Sequence, residues 1–199
     1  MTRISLTDFI DVVSKSGTPK ATKVAQIKNR PEYGPAQDFY KIFRDGVVEL
    51  HKQDGDKIDL KNILLKTADS KRLDHYPGMI KGYSKWWGKK TLAWFPPPTT
   101  TYSNLGIEIS VNPELGLTID DTNYIIKMYM KSEKLTKLRT EIITELMEKS
   151  LRPLIKNKAK VVVLDVKNSK PFEYVPGKKA LKPMIDAELA YIASLWPSL

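Results

Sequence analysis

Between His75 and Ile107 the chain carries no acidic residue, while Lys81, Lys85, Lys89 and Lys90 are interleaved with Tyr76, Tyr83, Trp86, Trp87, Trp94 and Phe95. Lysines neutralise phosphates and flat rings accept unstacked bases, so these residue types together suit a surface that tracks a nucleic-acid backbone. The rings have a competing use. Aromatics carry much of the buried area where two layers dock, and Trp86, Trp87 and Trp94 fit a seam between helices and a sheet better than an exposed platform. The four lysines stand as phosphate-contact candidates, joined by Lys127 and Lys131 further along the chain.

Other chemistry is harder to build. There is no Gly-rich phosphate loop, no Ser in a Gly-x-Ser-x-Gly elbow and no paired-His metal motif. The two histidines, His51 and His75, lie apart, and His51 at the end of a helical stripe reads as a partner for the helix dipole. With no Cys, disulfide frameworks and thiol or Cys-based metal chemistry are excluded. No metal set and no cofactor is called for.

The elements that must position these residues follow from periodicity. Ser5-Leu-Thr-Asp8 resembles a capping box, and Leu6, Phe9, Ile10 and Val13 mark a helical face closing at Gly17. Pro19 fits the first turn of a second helix. Pro35 opens a third, striped by Phe39, Ile42, Phe43, Val47 and Leu50 and ended by Asp54-Gly55-Asp56. Asp59 is placed to cap a fourth. Tyr76-Pro77-Gly78 predicts a break, followed by a short helix to Trp87. Residues 91–95 read as a strand, Pro96-Pro97-Pro98 as a stiff connector, and 99–103 as a return to a sheet edge.

Three strands follow, at 107–111, 115–119 and 124–130, with Asn112-Pro113-Glu114 and Asp120-Asp121-Thr122-Asn123 between them. An amphipathic helix is predicted over 133–149 from Leu135, Leu138, Ile142, Ile143, Leu146 and Met147. Val161 to Leu164 is an all-apolar strand covered on both faces. A hairpin over 165–175 and a last helix over 179–196 complete the chain. The fold class is α+β: a helical N-terminal half (1–90) packed on a small mixed or antiparallel sheet with flanking helices and a C-terminal helix (91–199), in one domain.

This order of a helix, three antiparallel strands, a helix and a returning strand resembles the core of the PD-(D/E)XK, or restriction-endonuclease-like, nuclease superfamily over roughly residues 106–166. The resemblance implies an Asp on the second core strand and a Glu-x-Lys on the third, which hold a divalent metal and orient the attacking water. Clustered carboxylates bind a hard cation, and the cation generates hydroxide and steadies the charge on phosphorus. Here Glu108 is the acid in the Asp's place, the sole catalytic candidate, and the third strand offers only Lys127 and Lys131 as charges. Glu114, Asp120 and Asp121 sit at turns.

The net charge is +10, which favours polyanionic partners. Further basic tracts run through Lys15, Lys20, Lys23, Lys28 and Arg30, and through Lys149, Arg152, Lys156, Lys158 and Lys160. At 41% hydrophobic the chain can bury a real core. It has no apolar signal core and no membrane-length run, so the sequence reads as cytoplasmic with no membrane partner. The function these features favour is non-catalytic nucleic-acid binding on a nuclease-like scaffold. The alternative is a protein-interaction or assembly subunit, or a homo-oligomer, using the Tyr83–Phe95 aromatics, Pro96–Pro98 and the helix ending at Trp196. Metal-dependent nuclease activity is the lesser alternative.

Overall fold

Two sheets, not one, organise the chain. The computed structural model describes residues 2–31, 38–155, 158–177 and 179–199. The helix start at Pro35 and the lysine at Lys156 expected from sequence lie outside the described residues. Strand β1 (Thr2–Ser5) leads into helices α1 (Leu6–Val13) and α2 (Gly17–Lys28). Helix α3 (Lys41–Lys52), a 3-10 helix (Lys57–Lys66) and α4 (Ser70–Trp87) come next. The strands β2 (Leu92–Phe95), β3 (Thr100–Asn104), β4 (Ile107–Val111), β5 (Leu115–Ile119) and β6 (Thr122–Tyr129) follow. Helix α5 (Lys137–Leu151), strands β7 (Lys160–Asp165) and β8 (Lys170–Glu173), and α6 (Leu181–Leu195) end the chain. The class is α+β, as expected.

The smaller sheet has the order β1-β4-β3, with β1 parallel to β4; the larger has the order β2-β5-β6-β7-β8. In the larger sheet β2, β5 and β6 form an antiparallel meander, α5 crosses over, and β7 returns parallel to β6. The chain passes from the smaller sheet to the larger through the helices between β1 and β2, back at Pro96–Pro98, and across again at Asn112-Pro113. Proline cannot donate to a ladder, so pairing stops at each of the last two crossings. The strand at 107–111 therefore pairs with β1 and β3, and not with 115–119 as its position in the sequence suggests.

The larger sheet is covered on both sides. Side chains of successive strand residues point to opposite faces. Ile125, Val161 and Val163 join one core with α1, α2, α5 and α6. Ile126, Met128, Val162 and Leu164 join the other with α3, the 3-10 helix and α4. That explains the unbroken apolar run of β7, buried from Val161 to Asp165.

Several local expectations change. Ser5 caps α1 by accepting from the Asp8 N–H at 3.0 Å, as read from sequence. The fourth helical segment is 3-10, capped by Asp56 with Asp59 completing the box, three residues earlier than expected. Helix α5 begins after Thr136, whose side chain accepts from the Arg139 N–H, rather than near Ser132. Helix α4 runs through Pro77 without a break. Proline inside a helix costs about 3 kcal/mol. Burial of Tyr76, Met79, Tyr83 and Trp86 contributes roughly 1.5–3 kcal/mol each, so packing wins. The helix stops at Gly88, which takes φ 60.

Candidate functional site

Many of the basic side chains are bonded to acids or carbonyls, some within one helix and some across elements. Lys20 pairs with Glu188 on α6, and Lys28 donates to the carbonyls of Trp196 and Leu199. Arg152 pairs with Glu148, Lys149 approaches Glu145, and Lys160 pairs with Glu173. In the first basic tract Lys20 and Lys28 thus tie α2 to the C-terminal helix region, and in the last Lys160 ties β7 to β8 while Lys149 and Arg152 pair with acids of α5 itself.

The six lysines singled out from sequence separate into two groups. Lys127 bonds Glu114 and also donates to the Asn112 carbonyl at 3.1 Å. Lys131 bonds Asp11 at 2.6 Å. Lys90 lies 5.0 Å over the Trp86 ring and donates to the Trp86 carbonyl. Burial lowers the Lys90 pKa while the charge of Asp120 opposes the shift. The window without acids in sequence is therefore not free of them in space, because the β5–β6 turn brings Asp120 close. Lys81, Lys85 and Lys89 are different: all three are exposed and make no ion pair among the described residues. Lys81 and Lys85, four residues apart, share one side of α4, and Lys89 follows the helix end, beyond Gly88. Gly82 packs against the backbone of Val166 and Lys167, which sets exposed Lys167 beside this row.

The rings do not accompany them. Tyr76, Tyr83 and Trp86 are buried in the core between α4 and the larger sheet, and Trp87 and Trp94 are half-buried against it. His51 is buried too, sharing a 2.7 Å hydrogen bond with the Tyr83 hydroxyl and lying 4.7 Å from the Trp87 ring. Burial pushes its pKa down to about 4, against a weaker pull from Asp54. A neutral imidazole does not serve the helix dipole as a cation, so that expectation is corrected. His75 is exposed, edge-on to Phe39 at 5.6 Å.

A cleft of about 1150 Å³ opens where the chain passes between the two sheets. One wall is α1, α2 and Arg30; another is the start of α3; the floor is Asn112–Glu114 and the end of β6 running on to Lys131. Arg30 forms a fork on Asp8, with contacts of 2.7 and 3.2 Å. Burial raises the Asp8 pKa, but hydrogen bonds from Arg30 and Ser5 outweigh it and leave the carboxyl below its ordinary value. Asp11 accepts from both Lys23, at 3.1 Å, and Lys131. Arg44 reaches Asp38 at 3.1 Å. Glu114, just before β5, bonds Lys127 and accepts from the Met128 N–H at 2.7 Å.

Glu108 does not face this cleft. It lies on β4 in the smaller sheet, opposite Arg3 and Ser103. The acid at the mouth of the second meander strand is Glu114, a residue whose sequence neighbours Asn112-Pro113 mark it only as part of a turn. On the third strand, the place of a Glu-x-Lys reads Ile125-Ile126-Lys127, with Ile125 buried. No group of three or more metal-ligating side chains occurs among the described residues. Asp11 was missed from sequence, although Asp8 and Asp11 at three-residue spacing share the polar side of α1. The chain matches no protein-family model, and no curated protein matches it significantly in sequence.

Proposed function

We propose that this protein binds nucleic acid without cutting it, holding the phosphate backbone through Lys81, Lys85 and Lys89 on a scaffold related in layout to the PD-(D/E)XK core. The observation that carries the reading is that Lys81 and Lys85 on α4 and Lys89 just past its end are exposed with no ion pair among the described residues, while Lys20, Lys23, Lys28, Arg30, Arg152 and Lys160 of the other basic tracts are bonded to acids or carbonyls. Lys81 and Lys85 stand about 6 Å apart along the helix axis, so each can meet its own phosphate. The meander, crossover helix and parallel return strand support the likeness of layout. One carboxylate, Glu114, already bound to an ammonium and a backbone N–H, is a poor foundation for a catalytic metal.

Burial of the rings sharpens the ligand class. Lysines without a stacking surface contact phosphates and not bases, so duplex nucleic acid is favoured over single strands, with little sequence preference. Fluorescence anisotropy with labelled duplex and single-stranded DNA tests this. Three phosphate contacts give a log–log salt slope of about −2.7 on duplex. Charge reversal at Lys81, Lys85 and Lys89 together should abolish binding while the fold persists. No binding at low salt, or an unchanged slope in the triple variant, would refute the proposal.

A further inference from the structure

We infer that the cleft between the sheets is a second, separate site, for the phosphate group of a small ligand of mononucleotide size, held by Lys23, Arg30 and Lys131. These cations come from α2, the segment after it and the segment after β6, and they meet at two acids of α1. Three cations meet two carboxylates at that end, one positive charge in excess locally, while the cleft lining as a whole carries six acidic and six basic side chains. The excess is localised: Asp11 Oδ2 takes both the Lys23 and the Lys131 ammonium. Two like charges on one oxygen repel, and a second anion beside them relieves the repulsion.

The donors are available. An ammonium carries three N–H groups and a guanidinium five. Lys131 uses one on Asp11, and Arg30 uses its two terminal nitrogens on Asp8. The Lys23 and Lys131 side chains are 20% and 24% exposed, reachable from the cleft yet screened little by water. The cleft, at about 1150 Å³, exceeds what a bare phosphate fills. Half-buried Phe39 and Tyr40, ring centroids 5.1 Å apart, line the same space and supply aromatic surface to it. A phosphate monoester carrying an aromatic base uses both features.

The site does not depend on α4, so its test stands apart from that of the duplex surface. AMP, inorganic phosphate and adenosine are titrated into the full chain by calorimetry at constant ionic strength. The expected order is AMP tighter than phosphate, with adenosine weakest. Lys131→Met and Lys23→Met should each weaken AMP by about tenfold, the loss of one charge-assisted hydrogen bond. Asp11→Asn should tighten AMP several-fold, because it removes the resident competitor and leaves both ammonium groups. The Lys81, Lys85 and Lys89 charge-reversal variant should bind AMP as the parent does. Thermal melts establish which variants fold, and Lys23→Met decides the matter if Asp11→Asn does not. Absence of AMP and phosphate binding at millimolar concentration, or AMP affinity unchanged in folded Lys131→Met and Lys23→Met, overturns the site. So does AMP binding lost in the α4 variant alone.

Discussion

Helix α4 contains two glycines whose replacement by alanine should move stability in opposite directions. At Gly82 an added Cβ would stand 2.1 Å from the Val166 carbonyl oxygen and 2.7 Å from that of Lys167. Both are backbone atoms of the turn after β7 and cannot swing aside, so α4 must back away from that turn. Overpacking of this kind costs about 1–3 kcal/mol. The 2.8 Å hydrogen bond from Ser169 Oγ to the Gly82 carbonyl stretches with it, for roughly another 1 kcal/mol. The alanine gains about 1 kcal/mol in helix propensity, which leaves a net loss on the order of 2 kcal/mol. At Gly78 nothing lies within 4 Å of the added Cβ, and the same propensity gain stands alone. Gly78→Ala should therefore stabilise by up to about 1 kcal/mol. Urea unfolding followed by circular dichroism measures both. A Gly82→Ala variant as stable as Gly78→Ala would refute the docking of α4 on the β7–β8 turn, and with it the placement of Lys167 beside the lysine row.

Two further predictions concern the buried polar groups. His51 is held neutral by burial, with its pKa lowered from 6.5 to about 4. As pH falls below 6.5 the unfolded chain takes up a proton that the folded one refuses until about pH 4, so stability is full above 6.5 and lost downward across that window. The loss amounts to about 3 kcal/mol, and His51→Gln, which keeps a polar partner for Tyr83, should flatten it; equal slopes in both proteins would exclude the burial argument. Glu114→Ala strands the Lys127 ammonium and the Met128 N–H, for a loss of about 2–4 kcal/mol, and Lys127→Met in that background should restore part of it. Glu108→Ala should change stability by less than about 1 kcal/mol, and a double-mutant cycle with no Glu114–Lys127 coupling would remove the pair from the cleft floor.

Much of the secondary structure follows from sequence, because period and capping are local. The alternation of Ile107, Ile109 and Val111 specifies a strand, and the burial pattern has the same phase. Asp120 and Asp121 read as a hairpin turn, and both adopt positive φ, of 46° and 67°, as such turns require. The residues that mislead are those where a distant partner outweighs a local preference. Pro77 predicts a break, yet the burial of Tyr76 and Met79 on either side holds the helix through it. Thr2–Ser5 is too short to show a period, and it becomes a strand only because β4 presents an edge to it.

Charge is where sequence says least. A run of residues without acids fixes composition along the chain, and the four-residue spacing of Lys81 and Lys85 fixes that they share one side of a helix. Spacing cannot reveal that Lys131 meets Asp11, 120 positions away, or that Lys127 meets Glu114 across a strand pair. Periodicity and turn chemistry determine the elements, because they act between neighbours a few residues apart. Only the tertiary structure decides which strands share a sheet, which lysines keep their charge open to solvent and which acids face a common cleft, because ion pairing and burial depend on distance in space.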